Sequence, residues 1–346
     1  MSTVSVVIPC YRYGHFLDQA VASVLDDQPG VDVRVLIIDD ASPDDSAAVA
    51  AGIAARDPRV EVIAHPTNRG HIATYNEGLL EWADGDYCVL MSADDRLTPG
   101  ALGRATGLLD VFPDVGFAYG RALWFWEGRP LPTPRTASRG WSVWPGRWWL
   151  ERRLRQAENC ITAPEVVVRT SVQKRVGGYD PRLPHSGDQE MWLRLAAHAD
   201  VGFVHGADQA FYRVHDANMR RSFDAVRDLR QKRAAFETTL DRYGTTLSDP
   251  RRLSECVHRK LSRQALRVLL DGWDRGQLDE HAVEDLLDFA VDCWPRAESL
   301  AAYRTFRLRR RLGPRATAAV QPINPAPLAR KTSGWLMRRS WKYRGI

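Results

Sequence analysis

The chain has little cysteine chemistry to offer. Its five cysteines, Cys10, Cys88, Cys160, Cys256 and Cys293, are odd in number and none stands in a C-x-x-C pair. That argues against a zinc site or a disulfide framework and fits a reducing compartment. Cys10 and Cys88, near expected strand ends, read as small buried residues. No run of about 18 apolar residues occurs, so no membrane-spanning helix is expected. The opening residues MSTVSVVIPCYR contain no basic stretch and no small-residue cleavage site. No secretory signal is therefore expected, and the cytoplasm is the expected location. Acidic residues are missing altogether after Glu298, where 12 Lys and Arg follow, against 36 basic and 43 acidic residues before them. The net charge of +5 thus combines an acidic body with a basic tail. Such asymmetry points to an anionic partner for the tail.

What is present is an ordinary globular composition, 346 residues with 44% hydrophobic and 26% charged. That length allows one large or two moderate domains with a sizeable core. The first 120 residues alternate between two periodicities. SVVIP (5–9), VRVLIIDD (33–40), VEVIAH (60–65), DYCVLMS (86–92) and VGFAYG (115–120) read as short buried strands. HFLDQAVASVL (15–25) and residues 71–83 read as helices, and further helices are expected to open at Ser42-Pro43-Asp44 and Thr98-Pro99. Strand–helix alternation with continuous apolar strands predicts an α/β fold, a mostly parallel sheet covered by helices. In such sheets ligands sit outside the carboxyl ends of the strands. Pro9-Cys10-Tyr11, Asp39-Asp40 and Ser92-Ala93-Asp94-Asp95 all fall at those ends.

From Trp124 to Trp149 the texture changes to six tryptophans and four prolines. No regular core element is expected there. The segment reads either as a long surface loop or as an aromatic platform for a sugar or lipid-linked acceptor. PEVVVR (164–169) and QAFYRVH (209–215) read as strands and Asp188–Ala199 as a helix. From about Phe223 onward the pattern is helical, which places the end of the first domain near residue 220.

The strand ends lack the motifs of the common nucleotide binders. The first turn, PCYRYGHF, carries one glycine where a dinucleotide-binding dehydrogenase needs G-x-G-x-x-G. No G-x-x-x-x-G-K-[ST] occurs, nor the Gly-rich first loop of a sugar nucleotidyltransferase. A pyrophosphate must then be held another way, and a divalent cation can do it. Mg²⁺ and Mn²⁺ prefer oxygen ligands, and Asp94 and Asp95 supply carboxylates beside which substrate phosphates complete the coordination.

With these residues in place, SVVIPCYRYGHFLDQAVASVL, IIDDASPDD, NRGHIATYNEGL and YCVLMSADDRLTPGAL, in that order and spacing, resemble the family-2 glycosyltransferases, inverting enzymes of GT-A fold. The resemblance covers about residues 3 to 220. It implies that Tyr11 stacks on the nucleotide base, that Asp40, with Asp39 beside it, reads the base, and that Asn68, Gly70 and Asn76 border the nucleotide. Pro9, Ser92 and Ala93 complete that border. The family's D-x-D-D has Ser92 in first place here, and Asp94 falls on the metal-binding aspartate. SGDQEMWLRL resembles the catalytic segment, with Gly187 where a Glu often stands and Asp188 on the base. A sugar hydroxyl is a poor nucleophile, so a positioned carboxylate must take its proton. On residue chemistry alone, Asp188 at a helix start serves equally well as a plain N-cap. FYRVHDANM resembles a downstream R-x-H segment, so that His215 reads as a metal or diphosphate ligand or as a structural histidine. Asp95, Glu190 and Arg213 are further candidates beside the acceptor; weaker ones are His71 as a phosphate contact near the nucleotide loop, and His185 and Arg169 at the acceptor.

The expected organisation is a GT-A catalytic domain over 1–220, whose residues 1–120 bind the nucleotide and 121–220 the acceptor. A helical region over 221–312 and a basic, Trp-containing tail over 313–346 follow. The expected function is transfer of a sugar from a nucleoside-diphosphate sugar, UDP- or dTDP-linked, to a hydroxyl of a glycan, lipid-linked glycan or natural product, with Mn²⁺ or Mg²⁺. A non-catalytic nucleotide-sugar or glycan-binding protein of the same fold is the competing reading, motivated by Ser92 and Gly187. The tail segments 303–315 and 333–346 interleave Arg with Trp, Leu, Met and Tyr. That pattern suits an anionic membrane surface or a subunit contact, whereas nucleic acid lacks an accompanying reader motif.

Overall fold

The structure is a computed structural model that describes residues 1–216, 218, 224–320, 339–341 and 343–346, with 314–320 as backbone only. In chain order its elements begin β1 (Ser2–Cys10), α1 (Gly14–Leu25), β2 (Val31–Asp39), α2 (Ser46–Arg56), β3 (Val60–Ala64) and α3 (His71–Asn76). α3 runs on as a π-helical segment, Glu77–Trp82. Then come β4 (Tyr87–Leu90), β5 (Arg96–Leu97), α4 (Ala101–Val111), β6 (Val115–Trp126), β7 (Trp141–Trp144), α5 (Gly146–Gln156), β8 (Val167–Arg169), α6 (Thr170–Val176), α7 (Gly187–His198) and β9 (Asp200–Val214). Four long helices follow: α8 (Ala225–Tyr243), α9 (Pro250–Asp274), α10 (Glu280–Cys293) and α11 (Ala301–Val320), the last broken at Gly313 with φ 78°.

The chain divides into two compact units. The first holds Met1–Leu150, Cys160–Asn218 and Ser340–Ile346; the second holds Glu151–Asn159 and Met219–Arg339. In the first unit the strands form one sheet in the order β3-β2-β1-β4-β8-β6-β9-β5, with β7 paired to β9. β3, β2, β1 and β4 are parallel, and so is the long β6–β9 pair, while β8 runs antiparallel between β4 and β6. The apolar runs explain the burial. Val6, Val7 and Ile8 of β1 and Val35 to Ile38 of β2 are completely buried, as strands covered on both faces must be. Phe16, Leu17, Ala20, Val21 and Val24 of α1 recur at helical spacing and pack on that core.

Several expectations need correction. α2 starts at Ser46 and α4 at Ala101 after Gly100, rather than at Ser42 and Thr98. The tryptophan-rich stretch is regular at its two ends, with the expected loop confined to residues 127–140. β6 extends through Trp126, β7 spans Trp141–Trp144, and Trp149 on α5 is buried between Phe117 and Tyr119, its indole N–H donating to Tyr119 Oη at 3.1 Å. β9 is 15 residues long, more than twice the expected strand. β5 has no counterpart among the expected strands; two residues carry no readable period, and only pairing with β9 makes them a strand.

In the second unit, α9 and α10 bury Leu253, Val257, Leu261, Leu266, Leu269, Val283, Leu286 and Phe289, one apolar stripe per helix. The side-chain oxygens of Asp224, Asp249 and Asp279 cap α8, α9 and α10 by accepting main-chain N–H three residues on. Much of the basic tail lies outside the described residues. Its last stretch, Ser340–Ile346, belongs to the first unit, where Tyr119 Oη donates to the Gly345 carbonyl. No helix among the described residues is long and apolar enough to cross a membrane.

Candidate active site

The parallel register sets Cys10 beside Asp39 and ends β1, β2 and β4 along one edge of the sheet. After β1 the chain turns through Arg12, at φ 64°, whose N–H donates to Ser42 Oγ at 3.0 Å. The turn leaves Tyr11 42% exposed, with the Arg12 guanidinium 5.4 Å from its ring centre and Pro9 half-buried behind it. Asp39, the last residue of β2, and Asp40 directly after it are both buried and differently used. Asp39 Oδ2 accepts Ser42 N–H at 3.1 Å, while its Oδ1 is buried with no partner among the described residues.

Asp40 is committed to the loop before α3. Its Oδ1 takes His65 Nδ1–H at 2.8 Å and Arg69 N–H at 2.7 Å, its Oδ2 takes Gly70 N–H at 2.9 Å, and its carbonyl takes the Asn68 amide at 3.0 Å. Burial works to raise its pKa, but hydrogen bonds from Arg69, His65 and Gly70 outweigh it and hold the carboxyl below its ordinary range. Gly70 sits at φ 82°, a conformation side chains strain to adopt. Asp40, expected to face the base, therefore shapes the 68–70 loop instead of presenting a free carboxylate.

Asp94 and Asp95, adjacent in sequence, point to different partners. Asp94 Oδ2 accepts from His215 Nε2 at 2.9 Å and from the Asn218 amide at 3.2 Å. Asp95 is 3% exposed and turned inward, its Oδ1 accepting Arg213 N–H at 2.9 Å. Burial, then the neighbouring Asp94 charge, pushes its carboxyl well above the ordinary range. Asp95, expected beside the acceptor, instead anchors the end of β9. Arg213 is sandwiched between Phe16 (4.2 Å) and Phe125 (4.6 Å), its Nε–H donating to the Asp94 carbonyl at 2.7 Å and its Nη2 to Gln19 at 2.8 Å. His215 packs edge-on against Tyr13 at 5.4 Å. Ser92, half-buried, gives its carbonyl to the Asp95 N–H; Ala93 is buried.

Among the described residues no three His, Cys, Asp or Glu gather as a metal cluster. The donor set is still compatible with a divalent cation. Asp94 and His215 offer one oxygen and one nitrogen, Asp94 Oδ1 has no partner among the described residues, and such ions take their other ligands from substrate phosphates.

The second half of the site is the start of α7. Ser186 is its N-cap position and Asp188 lies inside the first turn. The half-buried Asp188 carboxylate makes no hydrogen bond or ion pair among the described residues, so the plain N-cap reading fails. Burial pushes its pKa up to about 6, with His185 pulling slightly the other way. Two clamps from α3 hold the chain before α7. His71 Nε2–H donates to the Pro184 carbonyl at 2.9 Å. The Asn76 amide donates to Tyr179 O at 2.9 Å while its Oδ1 accepts Tyr179 N–H at 2.6 Å. Asn76, expected beside the nucleotide, thus pins this segment, packed so closely that a Cβ on Gly178 would come 2.4 Å from it. Gly187 faces Tyr179, where a Cβ would meet the ring at 3.2 Å. Glu190, another acceptor candidate, is fully buried, paired with Arg194 Nη2 at 2.7 Å. Tyr75 joins the halves: burial first, then the charges of Asp188, Asp94 and Asp95, raise its phenol far above normal.

Asn218, Tyr75 and His65 do not stand out in the sequence. The only signal for Asn218 is its place three residues past His215, whose N–H its Oδ1 accepts at 2.7 Å. Tyr75 and His65 become site residues only through the packing.

A mostly parallel α/β sheet with carboxylates along its strand ends, facing a helix headed by a carboxylate, defines a glycosyltransferase of GT-A type. Residues 5–173 match the profile of Glycosyl transferase family 2, so just under half of the chain is a domain of that family. The chain is 27% identical over 260 residues to the uncharacterized protein MT1568 of Mycobacterium tuberculosis, covering 69% of this chain and 73% of that one. It spans between 10% and 57% of seven other curated relatives. TarS 1–349 of S. aureus in complex with UDP-GlcNAc superposes with TM-score 0.62 at 15% identity, over 90% of this chain and 92% of that one. The mannosyltransferase PcManGT of Pyrobaculum calidifontis in complex with GDP-Man and Mn²⁺ gives TM-score 0.53 at 15% identity, over 92% and 86%.

Proposed function

We propose that this glycosyltransferase moves a sugar, with inversion, from a UDP- or dTDP-sugar to an acceptor hydroxyl of a glycan, a lipid-linked glycan or a natural product, with Asp188 as general base. The observation that carries this reading is the Asp188 carboxylate, half-buried, without a hydrogen-bond partner among the described residues, and raised to about 6. A carboxylate in that state is ionised at neutral pH yet basic enough to accept a hydroxyl proton as the anomeric carbon is attacked. Tyr11 offers an exposed ring to the base, and the loop held by Asp40 brings Asn68 and Gly70 beside it. The diphosphate lies at Asp94 and His215, where the Asn218 amide and the His215 ring fix the Asp94 carboxylate. A bound Mn²⁺ or Mg²⁺, held by Asp94 and His215, would offset the charge on the departing diphosphate. The neighbours solved with UDP-GlcNAc and with GDP-Man and Mn²⁺ support the donor class and the metal.

The test compares nucleotide binding with turnover. UDP, dTDP, GDP, CDP and ADP are screened by thermal shift with Mn²⁺, Mg²⁺ or EDTA, since a ligand that binds only the native state raises Tm. One pyrimidine diphosphate should stabilise the protein only when metal is present. Asp188→Asn should keep that stabilisation and lose transfer; unchanged transfer removes Asp188 as base.

A further inference from the structure

Next to the strand-end site, the first unit contains a second cavity of about 320 Å³. It is lined by the start of α1, by Arg96 of β5 and by the end of β6 with the loop after it; no residue at the ends of β1, β2 or β4 contributes. Its chemistry is cationic. Arg96, Arg129 and Arg213 line it together with His15, and Glu127 is the one carboxylate in its wall.

The arginines are poorly compensated. The Arg96 side chain makes no hydrogen bond or ion pair among the described residues, and its Nε is buried without a partner. Arg129 has no ion pair among the described residues and lies over the Trp126 ring, 5.9 Å from its centre. Arg213 spends Nε and Nη2 on the Asp94 carbonyl and Gln19, leaving Nη1 without a partner among the described residues. Arg96 opposes the charge of Arg213, which Asp94, Glu127 and Asp95 favour, so the uncompensated share of the cluster lies with Arg96 and Arg129. Guanidinium groups partly withdrawn from water, as Arg96 and Arg213 are, cost free energy unless an anion joins them, and Arg129 stands at the exposed rim beside them.

An aromatic surface adjoins the cavity. Trp124 and Trp126 share one face of β6 and are 44% and 47% exposed, while Phe125 between them is buried. Trp124 packs on Tyr212 at 5.4 Å. Exposed indoles suit the C–H face of a sugar, which is the acceptor role open to the tryptophan-rich segment.

We propose that this cavity seats a phosphoryl group carried by the acceptor, next to acceptor sugar stacked on Trp124 and Trp126. Three guanidiniums suit a group with three or more oxygens and up to two negative charges better than a carboxylate with two oxygens and one charge. The acceptor assignment rests on the glycosyl-transfer reading above; the phosphoryl site itself does not.

The test uses the full chain and three probes in ligand-observed ³¹P or ¹H NMR: glycerol 1-phosphate, dimethyl phosphate and acetate. Each is run with the protein alone and with saturating UDP and Mg²⁺. A phosphate probe should broaden in both states. Arg96→Gln should weaken it about tenfold and Arg129→Ala, on the exposed rim, about threefold, with UDP stabilisation unchanged. Preference for the monoester points to a terminal phosphate, preference for the diester to a phosphodiester chain. The proposal is overturned by no broadening of either phosphate probe, by broadening that UDP abolishes, by equal broadening of acetate, or by affinity unchanged in both variants. Arg129→Ala settles the matter if Arg96→Gln fails to fold. Failure of UDP to bind with phosphate binding intact would sink the donor reading and leave the anion site standing.

Discussion

Replacing Asp188 by Asn should make the protein a far poorer enzyme and a more stable one. The carboxylate is half-buried without a hydrogen-bond partner among the described residues, and burial raises its pKa from 3.8 to about 6. A carboxyl with a raised folded pKa leaves folding unaffected below about pH 3, where both states are protonated. As pH rises from there through 6, the unfolded chain releases its proton first and the folded state loses ground. The loss levels off above pH 6 at on the order of 2–3 kcal/mol, from about 1.36 kcal/mol per pKa unit. Asn is nearly isosteric and carries no charge, so this cost disappears. The expected gain at pH 7.5 is about 4–10 °C in Tm, falling to about 1–2 °C at pH 4. In the same variant, loss of a general base should lower kcat by about 10²- to 10⁴-fold. Scanning calorimetry at both pH values, alongside a turnover assay, reads both effects. A variant less stable at pH 7.5 would show that the carboxylate holds structure, and an equal Tm gain at pH 4 would show that charge is not the cause.

Other outcomes follow from the same geometry. In the wild type, kcat/KM should fall about tenfold per pH unit below about 6, and a pH–rate profile lacking that limb removes Asp188 as the titrating base. Asn76→Ala releases the segment before α7 and should lower kcat while leaving the Kd for nucleotide, measured by calorimetry, nearly unchanged; a selective loss of nucleotide affinity would instead place Asn76 at the donor. Asp94→Ala or His215→Ala should abolish the metal-dependent share of the UDP thermal shift, and EDTA should have no further effect on either variant. Asp95→Asn should be tolerated within about 1 kcal/mol in denaturant unfolding, because an amide oxygen still accepts the Arg213 N–H and burial already disfavours the carboxylate charge.

Near the N-terminus the sequence is readable because its elements are held by local rules. Short apolar runs rich in β-branched side chains announce β1 to β3, and the 3.6-residue spacing announces α1. The motif order across the first four strands points to the family that residues 5–173 match. The tryptophan-rich segment misleads because composition carries no information about partners. Trp149 is a core residue only because Phe117 and Tyr119 flank it, and β6 runs through Trp126 only because β9 lies alongside.

What the sequence determined by itself is the set of chemistry-bearing residues at the strand ends, since strand order and the carboxyl-end rule place them on one edge whatever the details of packing. Which way each one faces was decided in three dimensions. Asp94 and Asp95 are neighbours with the same side chain, yet one meets His215 and Asn218 and the other is buried under the Arg213 backbone. Glu190, two residues past Asp188, reads from the sequence as an acceptor-site candidate, but it is buried against Arg194 one helical turn on. Asn76 and Tyr179 lie 103 residues apart, and their hydrogen bonds hold the segment that leads into Asp188. The physical reason is the same in each case. Orientation in a buried site is fixed by whichever partner satisfies a polar group there, and that partner comes from a stretch of the chain that local sequence cannot see.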